Sequence, residues 1–127
     1  MKKYPLLKKV LPLLLCLTIM LAFPVVAYAR YTYIDSVDSS FTIVNGTAEC
    51  KGTVYGKTVY PIDVKVELQQ KQSNGTWLTI ETWTNSATAI RATKTGTYSV
   101  PSGYTYRCYV TGTIYGENGY ASVEKNY

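Results

Sequence analysis

The chain has no histidine among its 127 residues. That absence removes Ser-His and Cys-His nucleophilic pairs and most zinc sites. No glycine-rich stretch has the spacing that cradles a phosphate. Asp35 and Asp38 in "DSVDSS" lack the ligand spacing of an EF-hand loop. Glu67 and Glu81 fall on neighbouring strands mid-sheet and read as a solvated face rather than as a general acid–base pair. The residues therefore predict a protein that is not an enzyme and needs neither metal nor cofactor.

A surplus of positive charge is also missing once the N-terminal segment is set aside. Residues 1–29 read "MKKYPLLKKVLPLLLCLTIMLAFPVVAYA", with Lys2, Lys3, Lys8 and Lys9 ahead of an apolar run and Ala27-Tyr28-Ala29 behind it. A basic start, an apolar stretch and a small-x-small site form the three parts of a secretory signal peptide, cleaved after Ala29. A membrane anchor is the competing reading, because Val10 to Val26 is nearly long enough to span. Pro12 and Pro24 interrupt that run, which favours cleavage. Cys16 does not mark a lipoprotein, since Leu15 stands where a small residue should precede a lipidated cysteine. Beyond Ala29, nine Lys and Arg face eight acidic residues, a balance of +1, whereas the whole chain carries +5. The basic whole-chain value owes four charges to the leader, so it argues for neither nucleic acid nor a membrane surface as partner. The expected mature product is a secreted, extracellular single domain of residues 30–127.

Helical periodicity is the last absence. No window of about a dozen residues repeats its apolar positions at 3.6, while several alternate with period two, so the domain is expected to be all-β. Phe41 and Ile43 alternate up to Asn45-Gly46, and Ala48, Cys50 and Val54 alternate away from it. Asn-Gly favours a two-residue type I′ turn, which sets Ile43 against Ala48 and Phe41 against Cys50. Ile62, Val64, Val66 and Leu68 form an inward row next. Ser73-Asn74-Gly75 returns the chain, and a three-residue loop with Gly75 left-handed sets Ile80 against Leu68. That register turns Trp77 and Trp83 outward. The stretch "NSATAIRATKTGTYSV" carries one or two short strands into Pro101-Ser102-Gly103. The final pair turns at Asn118-Gly119. "GTVYGK" at 52–57 and "GTIYGE" at 112–117 echo each other, as two strands facing the same environment would.

Two cysteines, Cys50 and Cys108, remain after the leader. In an exported chain an even count suggests a bridge rather than reactive thiols. About seven short strands in a domain of this size suggest a β-sandwich. Tyr106-Arg107-Cys108 on an alternating strand, with Cys50 on the second long strand, resembles the immunoglobulin-like sandwich. The Cys50 strand, "LQQKQSNGTW", "TYSV" before a Ser-Gly loop, and the Tyr-x-Cys strand also resemble a group of small exported immunoglobulin-like proteins of Gram-positive bacteria whose function is unknown. The resemblance implies an inter-sheet disulfide between Cys50 and Cys108. It also implies a tyrosine corner, with the Tyr106 hydroxyl folded back onto upstream backbone. Closing a loop of roughly 60 residues corresponds to roughly 4 kcal/mol in the chain-entropy model.

What remains to carry a function is aromatic. Alternation from Cys108 turns Tyr109 and Tyr115 outward, and Tyr120 joins them across the last hairpin. With Trp77 and Trp83 they form a candidate binding face, of the kind that stacks on sugar rings or grips a protein. The expectation is a non-catalytic recognition module for a cell-surface glycan or protein. The alternative is a small secreted structural or antagonistic protein without a ligand pocket.

Overall fold

The computed structural model describes residues 31–127. The expected leader of residues 1–29, the expected cleavage point after Ala29, Cys16 and Arg30 lie outside the described residues. Five antiparallel strands follow: β1 Ile34–Val44, β2 Thr47–Lys71, β3 Trp77–Ser99, β4 Thr105–Ile114 and β5 Glu117–Asn126. They form one sheet in which β2 pairs with β1, β3 and β4, and β4 pairs with β5. The count of about seven expected from sequence becomes five because β2 and β3 do not stop where their patterns change. Residues 56–59 of β2 bulge opposite Ile90 of β3, since Tyr55 pairs with Arg91 and Tyr60 with Ala89. A bulge bends a strand without ending it. The polar stretch after Trp83 is thus the far half of β3, running on to Ser99.

That bend curls the sheet so that its halves face each other. One half holds β1, the start of β2 and the end of β3; the other holds the start of β3, the end of β2, β4 and β5. The inward rows meet between them. Ala48, Cys50 and Val54 come from one side, and Val64, Val66, Leu68, Tyr106, Cys108, Val110 and Ile114 from the other, all essentially inaccessible to solvent. Close approach is permitted by glycine. A Cβ at Gly52 would lie 2.7 Å from Val66 and Val110, and one at Gly112 would lie 2.5 Å from Val54. The "GTVYGK"/"GTIYGE" echo has this physical content: each Gly-Thr presents a bare backbone to the valine of the opposing half.

The turns explain the registers. Asn45 and Gly46 have φ of 50° and 76°, as a type I′ turn requires, and Phe41 pairs with Cys50 and Ile43 with Ala48. In the second hairpin Gly75 is left-handed at φ 85°, and the Gln72 amide donates to Thr76 O at 2.8 Å across the three-residue loop. Beyond it a bulge intervenes. Gln69 pairs with Thr79 but Leu68 with Glu81, so Ile80 is the extra residue and does not face Leu68 as the loop alone would dictate. The last hairpin does not turn at Asn118-Gly119. Tyr115 and Gly116, with φ of 49° and 77°, make the two-residue turn, and Ile114 pairs with Glu117.

Glu117 shows what that turn position secures. Its carboxylate accepts the backbone N–H groups of Thr32 at 2.7 Å and of Tyr33 and Ile34 at 2.9 Å. Lys57 donates its ammonium to the carbonyl of Tyr31 and its backbone amide to Tyr33 O. The strand leading into β1 is thereby tied to the β4–β5 turn.

Candidate functional site

Tyr106 is fully buried, and its hydroxyl donates to the carbonyl of Pro101 at 2.6 Å. This anchors the loop before β4 to the strand itself. Burial pushes the phenol pKa upward, with smaller contributions from Tyr104 and Tyr127. Cys50 and Cys108 lie in the inward rows of opposite halves, both fully buried, and their thiols are neighbours. They are free thiols in this structure, so the disulfide expected from sequence is not formed here. The hydrogen bond to Cys108 and burial hold the Cys50 thiol far above its ordinary pKa. Ser39 of β1 donates to the carbonyl of Cys108 at 2.9 Å, which fastens the halves beside the thiols.

Of the five aromatics expected outside, the structure keeps three on one face and moves two. Trp83 is the first correction. It pairs with Val66, an inward residue, and is half-buried against the core. The cause is the extra residue at Ile80: shifting the pairing by one turns every following side chain to the other face. Gly96 provides the space, because a Cβ there would lie 2.0 Å from the indole. Tyr115 is the second correction. As a turn residue it leaves the alternation and stands at one end of the domain. There it meets Tyr33 edge-on at 5.2 Å and Tyr60 at 5.6 Å, and those two rings are 5.5 Å apart.

Trp77, Tyr109 and Tyr120 share the outer face of the four-stranded half. Trp77 pairs with Lys71, Tyr109 with Glu67 and Ser122, and Tyr120 with Thr111. Their rings form a ridge with Arg107 inside it. The guanidinium lies 4.3 Å from the Trp77 centroid and 4.7 Å from that of Tyr109. Tyr109 stacks on Tyr120 at 5.9 Å with 30° between the planes. Arg107 was not singled out from sequence; it lies two residues before Tyr109 on β4, so period-two alternation could have found it. Its Nε donates to Gln69 Oε1 at 2.6 Å, and Gln69 Nε2 donates to Thr79 at 3.1 Å. Those bonds hold the guanidinium still between the two rings.

Beside the ridge runs a shallow polar trough of about 550 Å³. Thr84, Ser86, Thr111 and Thr113 give it short hydroxyl side chains, while Tyr109 and Tyr120 belong to its lining. Asp63 accepts the Ser86 hydroxyl at 2.5 Å, and Asn118 Oδ1 accepts the Thr113 hydroxyl at 2.7 Å. Lys65 and Glu67 approach to 3.8 Å. Such a surface can stack a ring and hydrogen-bond to hydroxyls around it.

No family model matches the chain, and no curated protein matches it. Among solved structures it is similar to CsgH from R. palustris, known in solution, with a TM-score of 0.47 and 11% identity over 70% of this chain and 90% of that one.

Proposed function

We propose that the protein is an exported, non-catalytic recognition module that binds an extracellular glycan or protein through the Trp77–Arg107–Tyr109–Tyr120 ridge. The observation that carries this reading is the ridge itself. The inward rows already supply the core, so these rings are surplus to it, yet they are aligned and immobilised on one open face. Exposed aromatic anchors flanking polar groups concentrate binding energy. Each cation–π contact adds only about 0.5–1 kcal/mol at an exposed site, which is small for stability but sufficient to fix the rings before a ligand arrives.

Two further elements belong to the same reading. The leader-like residues 1–29 direct the chain outside the cell. There an extracellular oxidant such as dioxygen or a thiol oxidase takes two electrons and two protons from the adjacent Cys50 and Cys108 thiols, and a disulfide joins the two halves of the sheet. The curled sheet is then a variant of the immunoglobulin-like sandwich, with β2 and β3 each contributing to both layers. Retention of the purified protein on isolated cell walls, and on glycan and surface-protein arrays, tests the proposal against the Trp77→Ala variant. Retention that falls for the variant supports it. Equal retention of both, or none of either, removes it.

A further inference from the structure

Building on that reading, we infer that the ligand is an uncharged pyranose polysaccharide, with one sugar ring stacked on the open face of Tyr120 and its hydroxyls bonded along the trough. Three observations narrow the ligand to this class.

First, the trough's charge disfavours a polyanion. Asp63, Glu67 and Lys65 are its charged lining residues, one positive against two negative, and Lys65 is already paired with Glu67. Arg107 is not among the trough's lining residues; its guanidinium sits in the ridge between Trp77 and Tyr109 with Nε bonded to Gln69. A teichoic-acid-like or sulfated chain would lay its charges against Asp63 and Glu67, and like charges repel.

Second, the hydrogen-bonding groups suit neutral hydroxyls. Thr84 and Thr111 can both donate and accept, as sugar hydroxyls do, while Ser86 and Thr113 spend their hydrogens on Asp63 and Asn118 and offer lone pairs to a sugar hydroxyl. Asn118 spends its carbonyl oxygen on Thr113, which leaves the amide hydrogens as its donors toward a ligand. Asp63 accepts the Ser86 hydroxyl's hydrogen bond on Oδ1 and keeps further acceptor capacity on its carboxylate.

Third, the aromatic surface is shaped for ring faces rather than for side-chain knobs. Tyr120 is 54% exposed and is backed by Tyr109 at 5.9 Å with 30° between the planes, so it presents a flat, supported ring face rather than a pocket. A protein hot spot is usually a filled, desolvated cavity. The apolar face of a pyranose needs only a flat ring beside hydroxyl partners.

Affinity electrophoresis through gels containing hydroxyethyl cellulose, laminarin or glycol chitin, with polygalacturonate as the anionic control, tests the inference. Migration should be retarded by at least one neutral polymer, and 0.5 M salt should not relieve it, because no ion pairing is involved. Tyr120→Ser should weaken that retardation about tenfold or more. Asp63→Asn, which preserves the shape of the side chain, should weaken it several-fold. Tyr98→Ser, an exposed tyrosine on the far half of β3, should match wild type. Retardation by polygalacturonate alone, abolished by salt, overturns the inference. So does neutral-polymer binding that ignores both Tyr120→Ser and Asp63→Asn. If no polymer retards the protein but cell-wall proteins retain it in a Trp77-dependent way, the sugar assignment fails while the recognition reading stands. If nothing retains it, both fail.

Discussion

The indole of Trp83 fills the place that a side chain at position 96 would need: a Cβ on Gly96 would lie 2.0 Å from the ring. Gly96 pairs with Cys50, so this contact sits one strand from the buried thiols. Gly96→Ala should therefore force the indole out of its slot and destabilise the domain by about 1–3 kcal/mol. Thermal melting checks this, with about 4–8 °C lost per kcal/mol for a domain of this size. Trp83→Leu combined with Gly96→Ala should recover part of the loss, because the smaller side chain vacates the contested space.

Tyr106→Phe keeps the ring that fills the core and deletes one hydrogen bond. It leaves the Pro101 carbonyl without its partner, and the expected cost is about 0.5–1.5 kcal/mol. The fold and the outer face should be unchanged, so near-ultraviolet circular dichroism should keep its wild-type shape at low temperature.

Oxidation should join Cys50 and Cys108. Non-reducing peptide mapping of exported protein should recover one linked pair, and reduction should lower stability by up to roughly 4 kcal/mol. In the reduced fold, Cys50 should resist alkylation at neutral pH, since its raised pKa keeps the reactive thiolate scarce. Rapid labelling of both cysteines in correctly exported, folded protein would contradict the inter-sheet pairing.

Glu117 gives the domain an acid-sensitive joint. Burial opposes its charge, but the amides of Ile34, Tyr33 and Thr32, with Lys57 nearby, outweigh that and hold its pKa below the ordinary 4.5. Because the folded value is depressed, the stabilisation is complete above about 4.5 and is lost as pH falls through the lower folded value. Wild-type stability should decline over that acid window, and Glu117→Gln should show a flatter profile there and lower stability at neutral pH. Parallel profiles for the two proteins would show that the carboxylate does not hold the strand entry.

Much of this fold was legible because β-sheet signals are local. The Asn45-Gly46 turn fixed the first register, and strict alternation along β4 placed Tyr106, Cys108 and Val110 inside. What escaped were single-residue events. The bulge at Ile80 carries no glycine or proline to announce it, yet it reverses the facing of Trp83. At the last hairpin a favourable Asn-Gly pair lay inside β5 while Tyr115-Gly116 made the turn. The three hydrogen bonds from backbone amides to Glu117 span more than eighty residues of sequence, a long-range contact that no local pattern encodes. The ridge was half visible: alternation could place Trp77, Arg107, Tyr109 and Tyr120 on one outer face, but the seating of the guanidinium between the Trp77 and Tyr109 rings depended on the true registers.

The most direct test pairs melting temperature with ligand retention for two variants. Tyr109→Ser combined with Tyr120→Ser removes the stacked pair from the outer face, and Tyr106→Phe alters the inner row of the same strand. The double variant should lose only ~0.5–1 kcal/mol for the broken pair while retention on cell walls falls at least tenfold. Tyr106→Phe should melt earlier and bind as wild type does. If the double variant is folded and still retained like wild type, the aromatic ridge is scaffold and the recognition account is wrong.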